Sequence, residues 1–259
     1  MSTIKKYQEK DVFDAAADRI AYVFDNFERV YVSFSGGKDS TVMIHMVMDE
    51  AIKRNRKIGI LVIDLEAQYK VTMEHIAQVL DDYKEHIEVF WVCLPIKLRN
   101  AVSQYEPVWC CWDPDKRDAW VRELPSHPGT VSDPAFFPFF ESRMEFEEFD
   151  VLFGEWYSQG KTCAALIGIR ADESLNRFRT IASRTKEMFQ DQRFTTKLSD
   201  RLYNVYPIYD WRTRDIWVYH AKNPERRSNR LYDLMHLAGL SIHQMRICEP
   251  FGDESRKGL

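Results

Sequence analysis

Six residues, Ser35-Gly36-Gly37-Lys38-Asp39-Ser40, constrain this chain more than any other stretch. Before them, Val30-Tyr31-Val32-Ser33-Phe34 is a β-branched and aromatic run that reads as a short buried strand. After them, Thr41-Val42-Met43-Ile44-His45-Met46-Val47-Met48 reads as a helix packed on apolar neighbours. The hexapeptide is therefore a strand-to-helix turn. Two glycines permit positive φ and close approach by a ligand, while the unpaired N–H groups and the dipole at the helix start favour an anion. Lys38 adds a full charge, and the hydroxyls of Ser35 and Ser40 add donors. Such a turn is built for phosphate. It is not the Walker A pattern, in which the glycine spacing is longer and Ser or Thr follows Lys, because here Asp39 follows Lys38.

A chain of 259 residues, 45% hydrophobic, is long enough for one large domain or one domain with an appendage. No apolar run reaches membrane-spanning length, and Met1 to Lys10 lacks the apolar core of a signal peptide, so the expected compartment is the cytoplasm, with no membrane partner. Cys93, Cys110, Cys111, Cys163 and Cys248 include no CxxC pair, which weighs against a zinc site and against a disulfide framework. The net charge of −4 hides an asymmetry: from Lys161 onward there are 18 Lys and Arg against 12 Asp and Glu. That half is rich in Arg, whose planar fork binds phosphate or sulfate bidentately. The overall negative charge and the lack of a DNA-reading motif count against nucleic acid as the partner.

Along the chain, Asp11 to Phe27 has apolar residues at helical spacing, and Ile58 to Asp64 is a near-continuous apolar run suited to a parallel strand covered on both faces. Val71 to Tyr83 reads as a helix and Ile87 to Leu94 as a third strand, so the pattern is βαβαβ and the class α/β. Ligands of such sheets bind beyond the carboxyl ends of the strands, which places Asp64 and Glu66 beside the loop. From Tyr105 to Pro138, prolines alternate with aromatics, an ordered insertion that is a candidate lid or protein-partner surface. Within it, Cys110 and Cys111 read as buried small hydrophobes. Glu141 to Gln159 reads as a long helix, and Thr162 to Ile169 as a strand delivering Gly168, Arg170, Glu173, Ser174 and Arg177 to the ligand edge.

The hexapeptide resembles the PP-loop of the adenine-nucleotide α-hydrolase superfamily, whose members split ATP between the α and β phosphates. Gly168-Ile169-Arg170, Glu173-Ser174, Arg177 and the later Tyr206-Pro207-Ile208-Tyr209-Asp210-Trp211 with Asp215-Ile216-Trp217 resemble the phosphoadenosine phosphosulfate (PAPS) reductase-like family. The likeness runs from about Val30 to Trp217, continues through Asn229 to Leu240, and is broken by the insertion. It implies a doubly wound, mostly parallel Rossmann-like sheet over residues 1–217, with an insertion at about 105–140 and a helical C-terminal part over 218–259.

By that resemblance the nucleotide-binding residues are Ser35, Gly36, Gly37, Lys38, Asp39, Ser40, Asp64, Glu66, Gly168, Arg170, Glu173 and Arg177. Lys38, Asp64, Arg170 and Arg177 would be catalytic, with ATP and Mg as the ligands. Lys38 and its neighbours would hold the β and γ phosphates, Arg170 or Arg177 would stabilise the α-phosphate, and Asp64 would place a metal or a nucleophile. Asp64-Leu65-Glu66 departs from the family's Asp-Thr-Gly. The tail around Cys248 lacks the reductases' Glu-Cys-Gly and looks like that of the immunoglobulin-binding-regulator branch. ATP cleavage between the α and β phosphates is the implied reaction. The alternatives are phosphoadenylyl-sulfate reduction with Cys248 as nucleophile, and a non-catalytic nucleotide-sensing or DNA-associated regulator.

Overall fold

The structure is a computed structural model that describes residues 9–99, 105, 107–183 and 185–247. The carboxylate of Asp11 accepts from Asp14 N at 2.9 Å and so starts helix α1 (Val12–Asn26), which buries Ala16, Ile20, Val23 and Phe24. The chain then alternates through β1 (Arg29–Ser33), α2 (Lys38–Lys53), β2 (Ile58–Ile63), α3 (Lys70–Asp82) and β3 (Ile87–Val92). Helix α2 begins at Lys38, so the lysine itself is the first helical residue. A separate antiparallel pair, β4 (Lys97–Arg99) with β5 (Val108–Cys110), follows.

The main sheet has seven strands. The insertion supplies an edge strand, β6 (Thr130–Val131), which pairs with β3. Beyond helix α4 (Phe146–Ser158) come β7 (Cys163–Ile167), helix α5 (Leu175–Ala182), β8 (Thr195–Lys197) and β9 (Leu202–Val205). In space the order is β6-β3-β2-β1-β7-β9-β8, parallel throughout except for β8 against β9. Helices α6 (Thr213–Lys222) and α7 (Leu231–Leu237) complete the chain.

The fold is a doubly wound α/β sheet. Crossovers from β1 run toward β3 through α2 and α3, and the return to β7 passes through α4, so right-handed connections place α4 on the opposite face. The two faces are held differently. Helices α2 and α3 meet through Thr41 Oγ1 and His75 Nε2, 2.9 Å apart. Helix α4 lays Phe153 and Tyr157 on Tyr31 and Phe90 of the sheet, with ring centres 5.2 to 5.8 Å apart. The insertion joins this second layer: Phe137 is buried with its ring 5.0 Å from Trp156 and 5.5 Å from Phe149. Burying one such ring stabilises the fold by about 2–3 kcal/mol, which explains why aromatics in a proline-broken segment are ordered.

Two boundaries differ from the sequence expectation: α2 takes in Lys38, Asp39 and Ser40, which read as turn, and α4 starts late. The helix expected from Glu141 begins at Phe146, because Arg143 takes a left-handed φ of 64° and Met144 O accepts from Lys97 N at 2.8 Å, diverting the backbone onto β4. Among the described residues, no helix is long and apolar enough to cross a membrane.

The strand order reverses between β1 and β7. Their carboxyl ends are the switch point at which open α/β sheets form ligand crevices.

Candidate functional site

At the end of β1, Gly36 has φ 71°, and a Cβ there would lie 2.7 Å from Ile76 Cγ1. Both the backbone angle and helix α3 therefore require glycine. Gly37 precedes α2 as its N-cap, in extended conformation and with no side-chain cap of its own, so the helix start is left to groups from elsewhere in the chain. A Cβ on Gly37 would point toward Ser35 Oγ at 3.4 Å, Tyr232 Oη at 3.6 Å and Ser40 Oγ at 3.9 Å. These hydroxyls outline a hollow in front of the helix N-terminus that a side chain at 37 would fill. The hydroxyls of Ser35 and Ser40 lie 3.1 Å apart, and Ser40 Oγ donates to Gly37 O at 3.1 Å. Hydroxyl and amide donors at the positive end of a helix dipole suit a phosphate group.

The end of β7 lies directly on this turn. A Cβ at Gly168 would sit 2.9 Å from Ser40 Cα and 3.0 Å from Ser40 N, so only glycine lets the two backbones touch. That contact brings Arg170 to Asp39. Arg170 is 2% exposed, and its Nε donates to Asp39 Oδ1 while Nη1 reaches Thr213 Oγ1 at 3.4 Å. The other Asp39 oxygen lies 3.3 Å from Lys38 Nζ. Two buried cations thus share one buried carboxylate at a helix N-terminus. Asp172 Oδ2 lies a further 3.9 Å from Arg170 Nη1.

Arg177 is placed differently. Ser174 caps α5 by accepting from Arg177 N at 3.2 Å, and the Arg177 side chain, 41% exposed, pairs with Glu173. The expected pair of guanidinium groups is thereby divided: Arg170 lies under the loop, and Arg177 stands on α5 against its own carboxylate.

Asp64 and Glu66 sit at the end of β2, as expected from sequence, but both face the insertion. Asp64 accepts from Trp91 Nε1 at 2.8 Å, from Glu66 N at 2.9 Å and from Arg122 Nη2. Glu66 accepts from Trp112 N at 2.7 Å and Val121 N at 3.0 Å, and its carbonyl accepts from Arg122 Nε at 2.9 Å. Both carboxylates are buried. Arg122 had no signature in the sequence; nothing in the spacing of a proline-broken segment points one arginine back at β2.

The donor set does not suit a protein-held magnesium ion. Among the described residues no group of three His, Cys, Asp or Glu side chains could hold a metal, and Asp39 and Asp64 are each engaged by cations. Cys111 is buried, its thiol 3.4 Å from Leu94 O, and burial pushes the thiols of Cys93 and Cys111 up and that of Cys163 to about 12. These are packing thiols, whereas Cys110, expected to be buried, is only half-buried. Cys248 lies outside the described residues. Of the insertion's aromatics, Trp109, Trp112 and Phe137 are buried, whereas Phe136 is exposed.

The C-terminal part reaches the loop. Asn229 Nδ2 donates to Gly36 O at 2.9 Å and to Thr72 Oγ1 at 3.1 Å, and Lys38 N donates to Tyr232 Oη at 3.1 Å. Further along α2, His45 Nε2 donates to Arg227 O at 2.8 Å, which leaves its Nδ1 to accept from Tyr83 Oη at 2.7 Å. Burial pulls the pKa values of His45 and His75 down to about 4 each. Asn229 and Tyr232 stand in a stretch that already read as family-like, but their roles depend on where the chain returns.

Comparison with known proteins gives three findings. The family described as phosphoadenosine phosphosulfate reductase domain matches residues 29–235. A protein of Escherichia coli (strain K12) described as uncharacterized protein YbdN is 44% identical over 262 residues; the match takes in 100% of this chain and 63% of that protein, so the chain spans less than two thirds of its relative's length. The fold is similar to that of FMN adenylyltransferase from Candida glabrata, at a TM-score of 0.50 and 14% identity over 89% of this chain and 62% of that one.

Proposed function

We propose a nucleotide chemistry from one premise: the chain belongs to the phosphoadenosine phosphosulfate reductase family, which its match over residues 29–235 shows. In our reading the protein binds ATP and cleaves it between the α and β phosphates. The observation that carries this is the hollow before α2, where the absent Cβ of Gly37 and the hydroxyls of Ser35 and Ser40 meet the helix start beside Lys38.

The β and γ phosphates lie in that hollow and the α-phosphate lies toward β7. A nucleophile attacks the α-phosphorus in line with the bridging oxygen. The bond to that oxygen breaks, its electron pair leaves with pyrophosphate, and the adenylyl group passes to the nucleophile. Charge builds on the departing oxygen, where the Lys38 ammonium and the α2 dipole stabilise it without reorganising. Asp39 holds Lys38 and Arg170 in fixed relation, so the field is set before the nucleotide arrives. Arg177, the more accessible guanidinium, leaves Glu173 to meet the α-phosphate. Asp64 and Glu66 act at one remove, by fixing the insertion beside the site.

The test is ATP binding and pyrophosphate release by the purified protein beside Lys38→Ala, with phosphoadenylyl sulfate and a thiol donor assayed for sulfite in parallel. Loss of one oxyanion-stabilising group costs about 10²–10³ in rate, so the variant should release pyrophosphate at least ~100-fold more slowly. Equal rates in both proteins, or sulfite as the sole product, would overturn the reading.

A further inference from the structure

Lys38 is where the phosphate hollow meets the C-terminal part of the chain. Its N–H donates to Tyr232 Oη at 3.1 Å, its carbonyl accepts from His220 Nε2 at 3.4 Å, and its ammonium donates to Met245 O at 3.2 Å. The ammonium also lies 5.4 Å from the centre of the Tyr232 ring. At either end of the same segment, Asn229 holds Gly36 O at 2.9 Å and Arg246 Nη2 donates to Glu173 O at 3.0 Å. Tyr232 and Met245 are buried by these contacts.

The position of the phenol oxygen is informative. It accepts from the first amide of α2, one of the donors that helix-start anion sites offer, and it lies 3.6 Å from the point a Gly37 Cβ would occupy. A neutral oxygen there satisfies a buried N–H that would otherwise lack an acceptor.

We infer that Asn229 to Arg246 is a built-in closure of the phosphate hollow, and that the Tyr232 hydroxyl is the group a nucleotide phosphate displaces from the Lys38 amide. This rests on the reading of the hollow as an ATP site. Exchange favours the phosphate, since an N–H bonds a charged oxygen more strongly than a neutral one. The closure lowers apparent affinity by the fraction of molecules in which it is shut, so nucleotide binding and segment opening are coupled.

Tyr232→Phe removes the oxygen and keeps the ring. One neutral hydrogen bond is worth about 0.5–1.5 kcal/mol net, so metal-free ATP should bind the variant about 2- to 10-fold more tightly than the wild type. Hydrogen exchange supplies a second readout. The Lys38 amide should be protected in nucleotide-free wild type and lose protection in Tyr232→Phe, and ATP should speed exchange over Leu231–Leu237 of the wild type. Weaker binding by the variant would make the hydroxyl a phosphate ligand, and unchanged binding would remove the competition; either overturns the closure. Should wild type and variant both fail to bind ATP while the Lys38 amide follows the expected pattern, the closure stands and the ATP reading falls. An unprotected Lys38 amide in wild type overturns the closure whatever ATP does.

Discussion

Asp64→Asn separates a chemical role for this carboxylate from an architectural one. Every group around Asp64 is a donor: Trp91 Nε1 at 2.8 Å, Glu66 N at 2.9 Å, and Arg122. An amide presents its NH₂ to at least one of them and strips Arg122 of its counter-charge. Removing one partner of a buried pair costs about 3–5 kcal/mol. The Arg122 side chain is 20% exposed, so water repairs part of the loss, and the lower end, ~3 kcal/mol, is the expected cost. For a chain of this size that is a fall in melting temperature of about 6–12 °C. Urea unfolding followed by tryptophan fluorescence reports it directly, because Trp91 and Trp112 both bond to Asp64. Limited proteolysis should show the insertion cut first. A variant as stable as wild type within ~0.5 kcal/mol, yet unable to release pyrophosphate, would refute the reasoning and return Asp64 to the chemistry.

Gly168→Ala forces a methyl to 2.9 Å from Ser40 Cα, and the obstacle is backbone rather than a mobile side chain. Overpacking of that kind costs about 1–3 kcal/mol, and the shift falls on the first turn of α2, so ATP affinity should drop along with stability; full retention of both in titration and melting experiments would disprove the contact. Acid sensitivity follows from His45 and His75. Their folded pKa values of about 4 lie below the unfolded 6.5, so the unfolded chain binds more protons as pH falls. The stability is present above pH ~6.5 and is lost between there and pH ~4, by about 2 kcal/mol per histidine at pH 5. Urea midpoints measured from pH 8 to 5 should fall accordingly, and His75→Gln should flatten the slope; a midpoint that does not move would contradict the buried neutral state.

The elements that carry the fold were legible because their signals are local. The apolar run at Ile58 to Ile63, the helical spacing after Asp11 and the punctuated Ser35-Gly36-Gly37 turn each depend on residues within a few positions of one another. The same holds for the pairing of Gly168 and Arg170 at a strand end. The insertion was legible as ordered, since its aromatics demanded cover, but not as the source of edge strand β6, because a two-residue strand has no pattern to read. What each charged side chain would meet was not legible. Arg170 and Arg177 look equivalent in sequence, yet one is buried on Asp39 and the other pairs with Glu173, just ahead of α5.

The sequence by itself determined the glycine turn from strand to helix, the α/β class and the central strands, because backbone freedom at glycine and hydrophobic periodicity act over short range. Only the tertiary structure decided that Asp64 and Glu66 hold an insertion 46 to 58 residues away, and that Tyr232 stands 194 residues on from the amide it caps. Those assignments are long-range hydrogen bonds. Each exists because the sheet order returns a distant segment to the switch point, and a donor or acceptor buried there must be satisfied by whatever side chain that return delivers.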